Sequence, residues 1–362
     1  MPNIPSVDLN NFLSDDQSLK QEFVNKLGKA YQDIGFVALK GHFLKDSDIE
    51  NIYKYIKVFF DLPEEIKCKY ELDGFAGQRG YTSFGKEHAK GKKHGDLKEF
   101  WHFGQYLHDS EYSKLGYPKN LIVDEVPEFN EIGKTVYQSL EKTAIYVLRA
   151  ISLFLDLEED HFDKFVQKGN SILRPIHYPP IKTKPLGAER AAAHGDINLI
   201  TLLMGAHGRG LQVLTNDGQW IDAIAEKDEI VINVGDMLSR YTNNKLKSTI
   251  HKVINPPKEL WKKSRYSIPF FLHPVGTMKL NVLDSCIDKK NPKATILNAN
   301  SHPDEKQCIT QLNLAFLCSL SKISAISLSA ERACIIKGKL LLCAASICSN
   351  RLFFWSFSVS FV

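Results

Sequence analysis

A change of hydrophobic period near Ile172 constrains this chain more than any other feature. Downstream come seven short runs: 172–178, 197–204, 211–214, 220–224, 229–234, 248–254 and 265–272. They are rich in β-branched and aromatic residues and are separated by Gly, Pro, Asn or Asp, the pattern of an antiparallel sandwich or barrel. Upstream the period is helical. Leu19, Phe23, Leu27, Ala30 and Ile34 predict a helix over 16–34 that Gly35 stops, followed by a short strand over 36–39. A second helix is expected over 46–60. A long one is expected over about 128–155, where Phe129, Ile132, Val136, Leu140, Ala144, Val147 and Ile151 form a core-facing stripe. The stretch 74–95 carries six glycines, several lysines and little periodicity, so it reads as a long loop. A helical N-terminal half is thus expected to support a β-rich C-terminal half.

Composition narrows the function. With 46 basic against 42 acidic residues and a net charge of +4, the chain lacks the concentrated basic surface of an electrostatic nucleic-acid binder. The local run Lys90 to Lys93 is diluted by Glu87, Asp96 and Glu99 and reads as a solvated loop. No basic region followed by an apolar run opens the sequence, so no secretory signal is expected. Seven cysteines without a CxxC pair argue against a disulfide framework or a structural zinc site, and predict a reduced, cytoplasmic protein. Five of them (Cys308, Cys318, Cys334, Cys343 and Cys348) crowd the tail from about 308, where only six of 55 residues are charged. That tail shows neither clean helical nor clean strand period, and its apolar stretches are too interrupted for a spanning helix of about 20 apolar residues. We expect it to lie outside the working fold.

His-x-Asp occurs four times, at His94, His161, His194 and His302, so the tripeptide alone means little. Only His194 opens onto an expected strand, 197–204. On extended backbone, residues i and i+2 share a face, which would let His194 and Asp196 bind one ion together. His251, in the run 248–254, is the best-placed third ligand. Two imidazoles and a carboxylate on one face suit non-haem Fe(II), and the competing reading is a structural or surface histidine pair. Arg265 and Ser267 share a face of the last strand. An arginine there with no acid on its strand fits an acidic small molecule, or else a distant Asp or Glu. Tyr178, at the end of the run 172–178, could add a hydrogen bond to such a ligand.

Taken jointly, these residues resemble the isopenicillin N synthase-like 2-oxoglutarate and Fe(II)-dependent oxygenases. The pattern is His194-x-Asp196, His251, then Arg265-x-Ser267, amid Leu173-Arg174-x-x-His177-Tyr178-Pro179-Pro180, Gly210-Leu211-Gln212-Val213 and Asn233-Val234-Gly235-Asp236. Ile4-Pro5-x-x-Asp8-Leu9, Gly35-Phe36, Gly80-Tyr81 and Asp96-x-Lys98-Glu99 carry the likeness into the N-terminal half, so that it covers about residues 1–285. The resemblance implies an α+β fold with a distorted jelly-roll (double-stranded β-helix) core and a helical N-terminal region. It implies Fe(II) on His194, Asp196 and His251, with 2-oxoglutarate chelating the metal and its distal carboxylate held by Arg265, Ser267 and Tyr178. With O2 as oxidant, such a site releases succinate and CO2 while a small organic substrate is hydroxylated, desaturated or cyclised.

Four regions are expected on this basis: 1–120 as the N-terminal non-haem dioxygenase region, 121–168 as long support helices, 169–285 as the jelly-roll core, and 286–362 as an atypical tail. Two departures stand out. Lys252 occupies a position where arginine commonly follows the distal histidine. Nothing after about 300 reads as the charged helix that closes the pocket in relatives. Two other functions remain open: an isopenicillin N synthase-like or ethylene-forming oxidase using the same iron site, and a non-catalytic jelly-roll binding protein. The expected partner is a small molecule, with no nucleic acid and no membrane, and the chain is expected to be a monomer. The 74–95 segment and 100–103 are expected near the substrate. Arg79, Glu87 and His88 are candidates to face it, and Trp101 and Phe103 are either pocket lining or core.

Overall fold

The computed structural model describes residues 4–72, 77–87, 96–182, 190–205 and 210–287, together with backbone strands at Ala333–Ile336, Lys339–Cys348 and Arg351–Val359. The chain divides into two compact units, 1–308 and 309–362.

The first unit is built on two sheets. Among the described residues the larger has nine strands, and its centre runs Ser6–Asp8, Phe36–Lys40, Ile230–Val234, Ile200–Met204, Arg265–Leu272. The smaller has four, in the order Trp220–Asp222, Leu211–Leu214, His251–Val253, Ala191–His194. Strand alternation assigns each residue of the central strands a side. Phe36, Ala38 and Val231 point inward and meet Ala191, Leu211, Val213 and Val253 of the small sheet. Val37, Leu39, Ile230, Ile232 and Val234 point outward into a second core that includes the helices. Burial on both faces explains why these strands read as nearly unbroken apolar runs rather than as alternating ones. The two facing sheets form the jelly roll.

Helices Gln17–Asp33, Asp46–Phe60 and Pro127–Phe154 cover the outer face of the large sheet. The first is capped by Asp16, whose Oδ1 accepts from the Ser18 amide at 2.8 Å, one of the unpaired donors of a helix start. It ends at Gly35, with φ of +74°, where a Cβ would lie 2.1 Å from the Lys247 carbonyl oxygen. Only glycine makes this turn, which sends Phe36 directly into the sheet. Gly28 lets the same helix approach Pro127–Phe154, since a Cβ there would sit 2.1 Å from the Phe154 ring. The expected helices over 16–34, 46–60 and 128–155 thus match to within a residue or two.

The expected helical N-terminal region is present, and it also contributes Ser6–Asp8, Phe36–Lys40, Gly80–Thr82 and Glu99–Gly104 to the large sheet. Two expectations need correction. The 74–95 segment is not loop throughout, because Gly80–Thr82 pairs antiparallel with Glu99–Gly104. The remainder of that stretch lies largely outside the described residues, as do His88, His94, His302 and the run Lys90–Lys93. The tail also contains regular structure. Its three strands form an antiparallel sheet of their own, with Lys339–Cys348 in the middle.

Candidate metal centre

His194 is the last residue of Ala191–His194, and it lies opposite His251 in the antiparallel register with His251–Val253. A bulge separates this pair from the next, Ala191 opposite Val253. Such an irregularity re-aims side chains near functional sites. Asp196 is not on a strand with His194, contrary to the expectation from i and i+2 spacing. The chain leaves its strand at His194 and enters the next only at Ile200, so the carboxylate comes from the intervening turn. Sequence missed this strand because Ala191-Ala192-Ala193 carries no β signature.

Each imidazole is oriented by its own backbone. His194 Nδ1 lies 2.6 Å from the Ala192 carbonyl oxygen and His251 Nδ1 lies 3.1 Å from that of Thr249. A carbonyl accepts only from N–H, so each ring carries a proton on Nδ1, and in the neutral ring Nε2 is the atom left to bind a metal. The two Nε2 atoms stand 3.9 and 3.7 Å from Asp196 Oδ1. The other carboxylate oxygen is occupied, accepting from Thr201 Oγ1 at 2.6 Å and Asn233 Nδ2 at 2.8 Å. Thr201 and Asn233 are cross-strand partners, so both donors reach Asp196 from one face of the large sheet. Burial alone would raise the Asp196 pKa; His251, His194 and these two donors outweigh it and hold the carboxyl below its ordinary range.

One ligand atom from each of the three side chains lies within 4.8 Å of the others. Bare Nε2 atoms and one free carboxylate oxygen fit a divalent ion that accepts mixed nitrogen and oxygen donors. Asp196 and His251 are buried, whereas 45% of the His194 side chain is exposed, so one side of the centre is open.

A second cluster contains the other predicted residues. Arg265 is directly opposite Tyr178 in the register of Arg265–Leu272 with Ile176–Tyr178, and its guanidinium lies 5.2 Å from the Tyr178 ring centre. Ser267 is buried two residues along the same strand. Arg190 also reaches Tyr178, with its guanidinium 5.5 Å from the ring centre; sequence did not single it out.

A third group extends from the metal centre. Lys98 Nζ pairs with Glu87 at 2.6 Å and with Asp96 at 2.9 Å, while Arg174 reaches Glu87 at 3.3 Å and donates to His102 Nε2. Phe100 and Phe271 flank the Arg174 guanidinium at 4.5 and 5.1 Å. Burial would raise the Glu87 pKa, but Arg174 and Lys98 outweigh it and hold Glu87 down at about 2, with His194 acting in the same direction. Alternation along Glu99–Gly104 sorts the remaining candidates: Phe100 and His102 meet Arg174, whereas Trp101 and Phe103 are fully buried core. Arg79 is also fully buried, donating to Gln78 O and Asn170 Oδ1. Lys252 stacks over the Trp220 ring at 4.0 Å.

A jelly roll with two histidines from its smaller sheet and one carboxylate from the adjoining connection around a common point defines the class of mononuclear metal oxygenases. Comparison with known proteins makes the class specific. Residues 169–274 match the 2OG-Fe(II) oxygenase superfamily, and residues 4–125 match the non-haem dioxygenase in morphine synthesis N-terminal family. A 2-oxoglutarate-Fe(II) type oxidoreductase of Aspergillus fumigatus is 32% identical over 281 residues, covering 74% of this chain and 81% of that protein. A 2OG-Fe(II) oxygenase family protein of Caulobacter crescentus is 40% identical with a TM-score of 0.74, covering 84% of this chain and 98% of that one. A full-length Neurospora crassa protein solved in complex with alpha-KG is 29% identical with a TM-score of 0.71, covering 86% of this chain and 96% of that one. The chain belongs to the 2-oxoglutarate- and Fe(II)-dependent oxygenases, non-haem enzymes that use Fe(II), 2-oxoglutarate and O2. No helix among the described residues is long and apolar enough to cross a membrane.

Proposed function

We propose that His194, Asp196 and His251 hold the Fe(II), and that Arg265, Ser267 and Tyr178 anchor the distal carboxylate of 2-oxoglutarate. The observation that carries the metal assignment is the division of labour at Asp196. Oδ2 is taken by Thr201 and Asn233, so Oδ1 alone is left to join the two bare Nε2 atoms. The reaction converts 2-oxoglutarate, O2 and a substrate C–H into succinate, CO2 and an oxidised product, with one oxygen atom in succinate and the other in the hydroxyl where hydroxylation is the outcome. Bound iron and co-substrate supply the oxidising chemistry, and the protein supplies position and shelter.

The substrate is a small organic molecule resting against Arg174, Glu87, Lys98, His102 and Phe100. Arg174 is fixed flat by Phe100 and Phe271 and presents its edge, while Glu87 stays ionised as an acceptor. Relatives support a small substrate: the Neurospora crassa protein has also been solved with alpha-KG and thymine. Hydroxylation, desaturation and ring closure are all within reach of such a site. We further propose the division into 1–120, 121–168 and 169–285 as working parts, with 286–362 outside the machinery. We also read the protein as monomeric and cytoplasmic, of isopenicillin N synthase-like type and without a nucleic-acid partner, a reading supported by Cys68 standing outside any disulfide and by the near-even charge.

The test is anaerobic Fe(II) titration followed by a screen of small substrates for stimulated, O2-dependent release of CO2 from labelled 2-oxoglutarate. One Fe(II) per chain is expected, with loss of both binding and turnover in His194→Ala and Asp196→Ala. A protein that stays metal-free at saturating iron refutes the assignment. Iron binding without succinate from any substrate would favour the oxidase reading.

A further inference from the structure

We propose that Arg190 is a second cation of the co-substrate site and that it closes with Arg265 on the distal carboxylate of 2-oxoglutarate. The inference rests on the assignment of Arg265 and Tyr178 made above. Arg190 is only 6% exposed, and its Nε is buried without a hydrogen-bond partner. Arg265 Nη1 is in the same condition. Neither guanidinium has an ion-pair partner among the described residues, whereas Lys67 and Lys98 are closely paired with Glu99 and Glu87; the buried Arg79 also lacks an acid but donates to Gln78 O and Asn170 Oδ1.

The two arginines converge on one ring, at 5.5 and 5.2 Å from the centre of Tyr178. Two like charges close together, one buried and one half-buried, oppose folding unless an anion joins them. Their mutual effect is visible at Arg190, whose pKa falls to about 10 through burial first and the Arg265 charge second. The ring face of Tyr178 attracts a cation but supplies no acceptor for the N–H groups. What is missing is a carboxylate. It offers about four lone-pair sites, enough for one N–H from each arginine beside the Ser267 and Tyr178 hydroxyls. The chain position agrees. Arg190 immediately precedes the strand that ends in His194, about 13 Å away along extended backbone. Arg190 is thus joined directly to the strand that supplies one metal ligand.

The experiment is calorimetric titration of the Fe(II)-loaded full chain, under anaerobic conditions, with 2-oxoglutarate and with 2-oxobutyrate, which shares the metal-binding end but lacks the distal carboxylate. Arg190→Gln is expected to weaken 2-oxoglutarate binding about 10- to 100-fold, the scale of one lost charge-assisted hydrogen-bonding group. Binding of 2-oxobutyrate is expected to stay within about threefold, the margin set by residual packing changes. Equal weakening of both ligands, or of neither, overturns the proposal, since a structural role for Arg190 would not distinguish them. Arg265→Gln is the reference. If it fails to select against 2-oxoglutarate, the anchor assignment itself is wrong; if it selects and Arg190→Gln does not, only the second cation is refuted. Should Arg190→Gln not fold, Arg190→Lys keeps the charge but loses the fork. It is expected to give a smaller loss confined to 2-oxoglutarate, and unchanged binding of both ligands would refute the proposal.

Discussion

Replacing Thr201 with valine tests whether the metal centre is assembled by Asp196 or by the two donors behind it. The substitution keeps the side-chain shape and removes the hydroxyl that donates to Asp196 Oδ2 at 2.6 Å. Hydrogen bonds to a charged group contribute about 1.5–3 kcal/mol, and residues that orient metal ligands typically account for 10- to 100-fold in metal affinity. Only Asn233 Nδ2, at 2.8 Å, would then hold the carboxylate, leaving it free to turn about its last torsion. Oδ1 would lose its fixed aim at the two Nε2 atoms, now 3.7 and 3.9 Å away. We expect Fe(II) or Mn(II) to bind Thr201→Val about 10- to 100-fold more weakly in anaerobic titration. Linkage converts this to about 1.4–2.8 kcal/mol less metal-induced stabilisation, a deficit of roughly 3–6 °C in the metal-dependent gain in Tm. The metal-free variant is also expected to be less stable than the parent, because a buried carboxylate has lost a donor. A folded Thr201→Val protein that binds metal within twofold of the parent refutes the reasoning.

Three further outcomes are expected. Burial holds His273 at about 4, so between pH 6.5 and 4 the unfolded chain takes up a proton that the folded one refuses; stability of the metal-free protein should therefore fall with pH across that window, by about 3 kcal/mol at most from this group, and His273→Gln should flatten the dependence seen in urea unfolding at stepped pH. An unchanged slope would show that His273 is not held neutral. Gly28→Val forces a side chain into the Phe154 ring, where even a Cβ would sit at 2.1 Å, and should lower stability by about 1–3 kcal/mol in thermal melts; a Tm equal to that of the parent would mean the two helices separate freely. Removing 309–362 should leave a soluble protein with parental Fe(II) affinity, because every strand pair in the two large sheets lies within residues 6–272; aggregation or loss of metal binding would show that the second unit supports the first.

How much of this was legible in sequence follows from where each signal resides. The helix stripes, the stop at Gly35 and the apolar runs 211–214, 229–234 and 265–272 are local properties, and the structure keeps them. His194, Asp196 and His251 were legible from a spacing pattern, yet one shared strand face is not what joins them: Asp196 lies beyond the strand, and the cross-strand register brings His194 opposite His251. The membership of 6–8, 36–40 and 80–82 in the large sheet was not legible: 6–8 and 80–82 are too short to show a period, and 36–40 pairs with 230–234, nearly two hundred residues away. Thr201 and Asn233 did leave one. Each is the polar residue in an otherwise apolar strand, on the inner face, and a buried polar group must have a partner. Arg190 left none, since an arginine before three alanines looks like any surface turn.

The interior treats its charges in two opposite ways, and the contrast separates two kinds of ligand. Along the wall formed by Lys98, Arg174, Glu87 and Asp96, two cations meet two carboxylates within 3.3 Å, so the wall is satisfied before anything binds. Such a set offers fixed dipoles and edges that select by hydrogen-bond pattern and shape. Around Tyr178 the two guanidiniums have no acid among the described residues, so that corner is incomplete until a ligand brings negative charge. An enzyme that meets the same dianion in every turnover gains from leaving that site unpaired, because the ligand then relieves repulsion as well as forming bonds. A wall that must admit a particular organic molecule, and release it oxidised, gains from being neutral as a set, since a strong net charge would retain product as firmly as substrate.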